Sequence, residues 1–197
     1  LGISGASKAA HKSTQPTQSI RGSLREAGSH RGFLLLILGF YVCGFQVQFI
    51  GSHLPAHIVD AGSTPEWGAI ALMLVAFFNM IGSRGCGWIG DRYRKKYALS
   101  ILYTFRSLLI VGFVLLPITP LTIVIFSAGV GLTWLGTLPL VSGIIIDVFG
   151  IRYMAMLFGV VYFSHQLGAF SGVWLGGIIF DATQSYDSIW WIAVALG

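Results

Sequence analysis

Charge is the scarcest property of this sequence. Only 10% of its 197 residues are Asp, Glu, Lys or Arg, against about a quarter in a typical soluble domain. So few charges cannot cover a water-exposed surface, which excludes an ordinary soluble protein and makes lipid the solvent. Cysteine is limited to Cys43 and Cys86, both inside apolar stretches. That excludes a disulfide framework or a cysteine metal site and leaves two small packing residues. A nucleotide-binding Gly-rich Lys loop, a metal cluster and a nucleophile elbow are also missing. No enzyme, cofactor or metal is therefore expected, and pumping by ATP hydrolysis has no support in this piece.

Long apolar runs are what the chain has instead. Residues 1–31 are polar, carry Lys8, Lys12, Arg21, Arg25 and Arg31, and read as a solvated linker. Ser19 to His30 within it fits a short surface helix. Residues 32–197 hold five apolar spans and the start of a sixth: about 32–58, 66–90, 97–116, 121–146 and 153–180, then from about 186. Each complete span reaches the ~20 residues that cross a bilayer as a helix. The joins are short, so neighbouring spans run antiparallel. The chain opens at Leu1 and closes at Gly197 inside an apolar run, and reads as a piece of a longer protein. The 26 glycines, a weakness in aqueous helices, allow close backbone approach between membrane helices.

The net charge of +5 raises the question of nucleic acid, but the basic residues sit at span ends. Arg92, Arg94, Lys95 and Lys96 follow the second span and Arg152 follows the fourth, on the linker's side. The opposite joins hold Asp60, Glu66, Asp181 and Asp187 and no Lys or Arg. Membrane topology explains that alternation, no nucleic-acid partner is expected, and the linker is placed in the cytoplasm. Trp67, Trp88, Trp190 and Trp191 lie near span ends, as an aromatic belt requires.

Between the second and third spans the chain reads Gly87-Trp88-Ile89-Gly90-Asp91-Arg92-Tyr93-Arg94-Lys95-Lys96. Gly87 and Gly90 permit close packing at a helix end, Asp91 accepts hydrogen bonds, and the basic run holds the loop inside. The residues alone fit a plain positive-inside turn equally well. The loop resembles the signature loop of the major facilitator superfamily: Gly, three residues, Asp, a basic residue, any residue, Gly, then basic residues. Gly87, Asp91, Arg92, Lys95 and Lys96 match; Arg94 stands where the family usually has Gly. The run from Gly176 to Tyr186 resembles the family's junction of helices 11 and 12, with Gln184 replacing a common Gly. Gly44-Phe45, His53-Leu54-Pro55 and Ser164-His165-Gln166-Leu167-Gly168 are similar to a bacterial group near the monocarboxylate transporters and oxalate/formate antiporters. The resemblance implies an all-α polytopic transmembrane bundle, the six-helix C-terminal half of a twelve-helix facilitator. Residues 1–31 would be the cytoplasmic central linker and 32–197 helices 7 to 11 with the start of 12. It further implies alternating access, an N-terminal six-helix half as partner, and residence in the inner cell membrane.

Polar residues inside the spans are the candidate site, because lipid tolerates them poorly. Gln46, His53 and His57 share a face of the first span, where they either line the outer half of a cavity or serve apart, Gln46 joining two helices and His57 at the water interface. Pro55 should loosen that helix. In the second span Asn79, Ser83 and Gly87 share one face and Arg84 points about 100° away, where it either contacts solute or is a structural or snorkelling residue within reach of the cytoplasmic end. Carboxylate-transporting relatives carry a substrate-pairing arginine at the position aligned with Ser83, one residue before Arg84. Arg106 lies too deep in the third span to snorkel, and either binds solute or is held in an ion pair or a cage of carbonyls. The dense Gly and Pro around Trp134 predict a bend in the fourth span, with Trp134 on the cavity floor or in the core. In the fifth span Ser164, His165 and Gln166 sit at the midpoint. His165 shares a face with Gly168, Gly172 and Gly176, which reads as a close helix contact, and its imidazole could carry a coupling proton. The lysine that oxalate antiporters place there is absent. The expected cargo is a small organic anion, a monocarboxylate first, moved with protons. A drug or amphiphile exporter of the same fold, or a non-transporting membrane protein, are the rival readings.

Overall fold

The computed structural model describes residues 20–197. Lys8, Lys12 and the rest of the linker before Ile20 lie outside the described residues. The elements are α1 (Ile20–Ser29), α2 (Arg31–Asp60), α3 (Pro65–Arg92), α4 (Lys95–Leu115), α5 (Pro120–Thr133), α6 (Thr137–Phe149), a 3-10 turn at Ile151–Tyr153, α7 (Met154–Thr183) and α8 (Asp187–Leu196). Among the described residues there is no strand. The chain forms an all-α transmembrane bundle. By length and apolar content α2, α3, α4 and the continuous Pro120–Phe149 stretch each suffice to cross a membrane. α7 matches α2 in length at 30 residues but carries Ser164, His165 and Gln166 at its middle.

Local sequence sets the ends. Pro65 and Pro120 open α3 and α5 in the first turn, where a missing N–H costs nothing. Thr119 and Thr122 cap α5 reciprocally. Gly150 closes α6 at φ 81°, a left-handed backbone that favours glycine. α7 closes on Gln184 at φ 54°, the position where a glycine was expected. Arg94, also in a glycine's place, has φ −64° and ψ 109°, an extended backbone open to any residue, so the loop is not loosened by its arginine. Nor does Pro55 break α2, which runs on to Asp60 while Gly68 of α3 packs against the proline ring.

Between membrane helices packing, not the hydrophobic effect, supplies the attraction. α2 and α7 lie side by side in parallel, Ile37 beside Ser164 and Phe45 beside Gly172. A side chain on Gly44 would run into the His165 carbonyl, and one on Gly168 into that of Tyr41. α3 and α5 repeat the device at Gly82, which touches the Leu132 carbonyl, and at Gly131, which touches that of Val75. The expected close contact of Gly168 and Gly172 is thus a contact with the α2 backbone, while Gly176 faces His53 and Phe49.

Two apolar clusters fill the interior. One, toward the acidic end, joins Phe49, Phe113, Phe126, Trp190 and their neighbours; Phe113 and Phe126 stack at 4.0 Å. The other, toward the basic end, centres on Phe33, Phe40, Val141 and Leu157. Trp190, expected in an interfacial belt, is 1% exposed inside the first cluster, because α8 turns that face onto α2 and α4. Trp88 and Trp191 remain exposed. α8 ends over Gln46 and Ser107. Beyond it, along the same sides of α2 and α4, runs an apolar groove of about 460 Å³ between Gly39, Leu36, Tyr103, Leu99 and Ile145.

Two tests follow from this packing. Gly44→Val or Gly168→Val should cost at least the 1–3 kcal/mol typical of overpacking, since the obstructing atoms are backbone; melting in detergent followed by size-exclusion fluorescence reads this. Gly177→Ala, which meets nothing within 4 Å, should be silent. Gln184→Gly should raise the same melting temperature by relieving about 1 kcal/mol of left-handed strain.

Candidate functional site

The bend expected in the fourth span is a break at residues 134–136, between α5 and α6. Its cause is local. Pro139 has no N–H to give the Leu135 carbonyl, and its ring crowds that carbonyl. Leu138 N donates to Leu135 O instead, and Trp134 N donates to Gly131 O. Each of these is one residue short of the α-helical register. Leu135 N and the carbonyls of Thr133 and Trp134 are left over in mid-membrane, where no water is available to satisfy them.

Side chains from two other helices take them up. Asn79 of α3 accepts from Leu135 N at 3.1 Å and from Ser83 Oγ at 3.2 Å. Arg106 of α4 is fully buried and donates from Nη2 to the carbonyls of Thr133 and Trp134, from Nε to Thr133 Oγ1 at 3.2 Å, and from Nη1 to Cys43 Sγ at 3.2 Å. Cys43 also lies 3.8 Å from Thr137 Oγ1. Planar and five-pronged, the guanidinium suits such a cage better than an ammonium would. Trp134 is therefore carried on a fixed hinge point, half-buried, with its ring against Gly51 of α2.

The remaining candidates divide. Gln46 is fully buried and donates to Ala193 O at 2.9 Å, so it joins α2 to α8. His53 bonds Val173 O through Nε2 at 3.0 Å and meets Tyr186 Oη through Nδ1 at 3.3 Å. A carbonyl only accepts, so Nε2 carries a proton and donates to Val173 O. His57 sits among Phe113, Tyr186 and Trp190. Gln46 and His53 thus join α2 to α8 and α7 rather than line a cavity, whereas His57 borders a cleft of about 330 Å³ with Asp60, Tyr186 and Asp187. His165 is 7% exposed, stacked on Tyr162 at 5.5 Å and bonded through Nδ1 to Gln166 Oε1 at 3.3 Å. Gln166 itself is exposed, as is Arg84, which has no hydrogen bond or ion pair with any described residue. Gln48, exposed beside Gly51, lies off the face that Gln46, His53 and His57 share, and that stripe drew the sequence reading.

At the basic end α3 and α4 meet at Tyr93–Arg94. Gly90 is buried against Leu140, whereas Gly87 meets nothing within 4 Å and opens on a cleft of about 320 Å³ that Asp91, Lys95 and Asp147 share. Only Gly90 has the close-packing role expected of both. Lys95 Nζ pairs with Asp147 Oδ2 at 2.8 Å, with its stem laid across Gly143, and Arg92 stacks on Trp88 at 4.5 Å. The loop is thereby tied to the end of α6, so one ion pair spans the foot of the broken helix.

Residues 4–173 match the Major Facilitator Superfamily. The chain belongs to that superfamily. Among its relatives, the Uncharacterized MFS-type transporter YcxA of Bacillus subtilis (strain 168) is 31% identical over 160 residues, covering 77% of this chain and 38% of the relative. Monocarboxylate transporter 13 of Rattus norvegicus is 26% identical over 154 residues (77% and 35%). Monocarboxylate transporter 12-B of Danio rerio is 26% identical over 169 residues (82% and 34%). The chain spans about a third of the length of the curated relatives it matches.

The clamp is testable by stability. Arg106→Met should strand the Thr133 and Trp134 carbonyls at about 1–3 kcal/mol each, and Arg106→Lys should recover only part of it. Because Asn79 holds Leu135 and Arg106 holds the adjacent Thr133 and Trp134 of the same break, Asn79→Leu combined with Arg106→Met should lose less than the sum of the two. Unchanged melting in Arg106→Met would remove the clamp from the account.

Proposed function

We propose that this chain is one half of a secondary transporter of small organic anions, monocarboxylates foremost, that works by alternating access coupled to protons. The other half of the cavity and the cover for the groove beyond α8 come from further segments of the same protein, seated in the inner cell membrane. One observation carries the anion reading. Arg106 is spent on the backbone, so Arg84 is the one in-span cation left without a partner among the described residues. It lies on the exposed face of α3 with Met73, Phe77 and Met80. A guanidinium on that face needs an anion or water, which the hydrocarbon core does not offer. The names of two relatives, monocarboxylate transporters 13 and 12-B, support the same cargo class. For the proton, the candidate carrier is His165, a buried imidazole bonded to the exposed Gln166 amide on α7.

Full-length protein in vesicles should take up labelled lactate, pyruvate or benzoate faster with an inward-acid gradient. Arg84→Ala should lower uptake at least tenfold with normal insertion, and Arg84→Lys should retain part of it. Normal uptake in Arg84→Ala would sink the anion assignment for this residue. No uptake of any acid by wild type would remove the cargo class and favour an exporter of amphiphiles.

A further inference from the structure

α2 shows two kinds of exposed surface. Toward the basic end the exposed side chains are Leu34, Leu35 and Leu38. Past the midpoint Gln48, Ser52 and Ala56 are exposed, four residues apart on one face, and Val59 and Asp60 follow at the helix end. Hydrocarbon suits the leucines and not the Gln48 amide. Gln48 in particular has no hydrogen bond with any described residue, although it lies near the middle of a 30-residue span. A primary amide has two donors and two lone pairs to satisfy, and lipid satisfies none of them.

A second observation places a partner group beside it. A Cβ on Gly51 would lie 3.6 Å from the Trp134 ring and 3.8 Å from Gln48 Oε1. Gly51 therefore lets the indole rest close to the α2 backbone, next to the amide. The indole is the side chain that the clamped break holds in place, at the middle of Pro120–Phe149. An unpartnered amide and a fixed aromatic face thus adjoin at mid-membrane, on the side of α2 that the other described helices leave open.

We propose that Gln48 and Trp134 are the solute-contacting pair of this half, and that Gln48 is its specificity-determining residue. The inference rests on the anion reading above and deepens it. The Gln48 amide donates to the carboxylate and the apolar body of the acid lies on the indole. A neutral donor suits a carrier, because it orients an anion without holding it as tightly as a second cation would.

The experiment uses the full-length protein in vesicles, with its other accessible cysteines replaced. Gln48→Cys is treated with a charged, membrane-impermeant thiol reagent, with and without excess benzoate; Gln46→Cys, two residues away and buried, is the control. Uptake of labelled benzoate is measured in Gln48→Ala and Gln48→Asn. The proposal expects labelling of Gln48→Cys only, slowed severalfold by benzoate. It also expects KM to rise about tenfold or more in Gln48→Ala, the loss of a hydrogen bond to a charged group, with partial recovery in Gln48→Asn. Absence of labelling at Gln48→Cys would overturn the proposal, because the face would then be lipid or packed protein. Labelling without protection, in a protein that does take up benzoate, would overturn the solute contact and leave the anion reading standing. Wild type that takes up no carboxylate would overturn both.

Discussion

A helix interrupted in the middle of a membrane exposes backbone groups that nothing in the surrounding lipid can satisfy, and the rest of this structure is arranged around that constraint. Pro139 and the glycines on either side of Trp134 make the interruption. Arg106 and Asn79 make it tolerable by taking the carbonyls of Thr133 and Trp134 and the amide of Leu135. Because those two side chains come from α4 and α3, three elements are fixed to one point. The two apolar clusters sit on opposite sides of it, and Trp134 touches both. The same fixation turns a flexible segment into a platform for one aromatic ring.

The two in-span arginines show how context separates identical residues. Arg106 lies on the buried side of α4 and is consumed by backbone oxygens, so its charge is not available to a solute. Arg84 lies on the open side of α3, where no described group answers it. A count of cations without acids counts both alike. Only the packing of α4 against α5 and α6 tells scaffold from site.

Much of the fold was legible in the sequence because lipid makes hydropathy and loop charge nearly sufficient. The spans match the observed helices to within a few residues, and the crowding of Gly and Pro marked the break. What was not legible is which way each polar residue faces. In a helix apolar on all sides, periodicity does not distinguish lipid from protein. The stripe of Gln46, His53 and His57 has good helical spacing, yet Gln46 and His53 are taken up by α8 and α7 and only His57 borders a cleft. Gln48, two residues from Gln46 and so on another face, carries the open amide. Trp190 read as interfacial by position and is core because α8 packs deeply. Gly87 read as a packing glycine from its spacing, but the cleft beside it is open.

Backbone hydrogen exchange at the break tests the clamp most directly. Mass spectrometry of the full-length protein in a membrane, on peptides spanning Thr133 to Leu138, separates a pinned interruption from a loose one. The account predicts that the Leu135 amide exchanges slowly, like the flanking helices, and that it becomes fast when Asn79 loses its carbonyl in Asn79→Leu. Fast exchange at Leu135 in the unaltered protein would contradict the account, because the break would then be a flexible joint rather than the fixed point on which Trp134 and the candidate site depend.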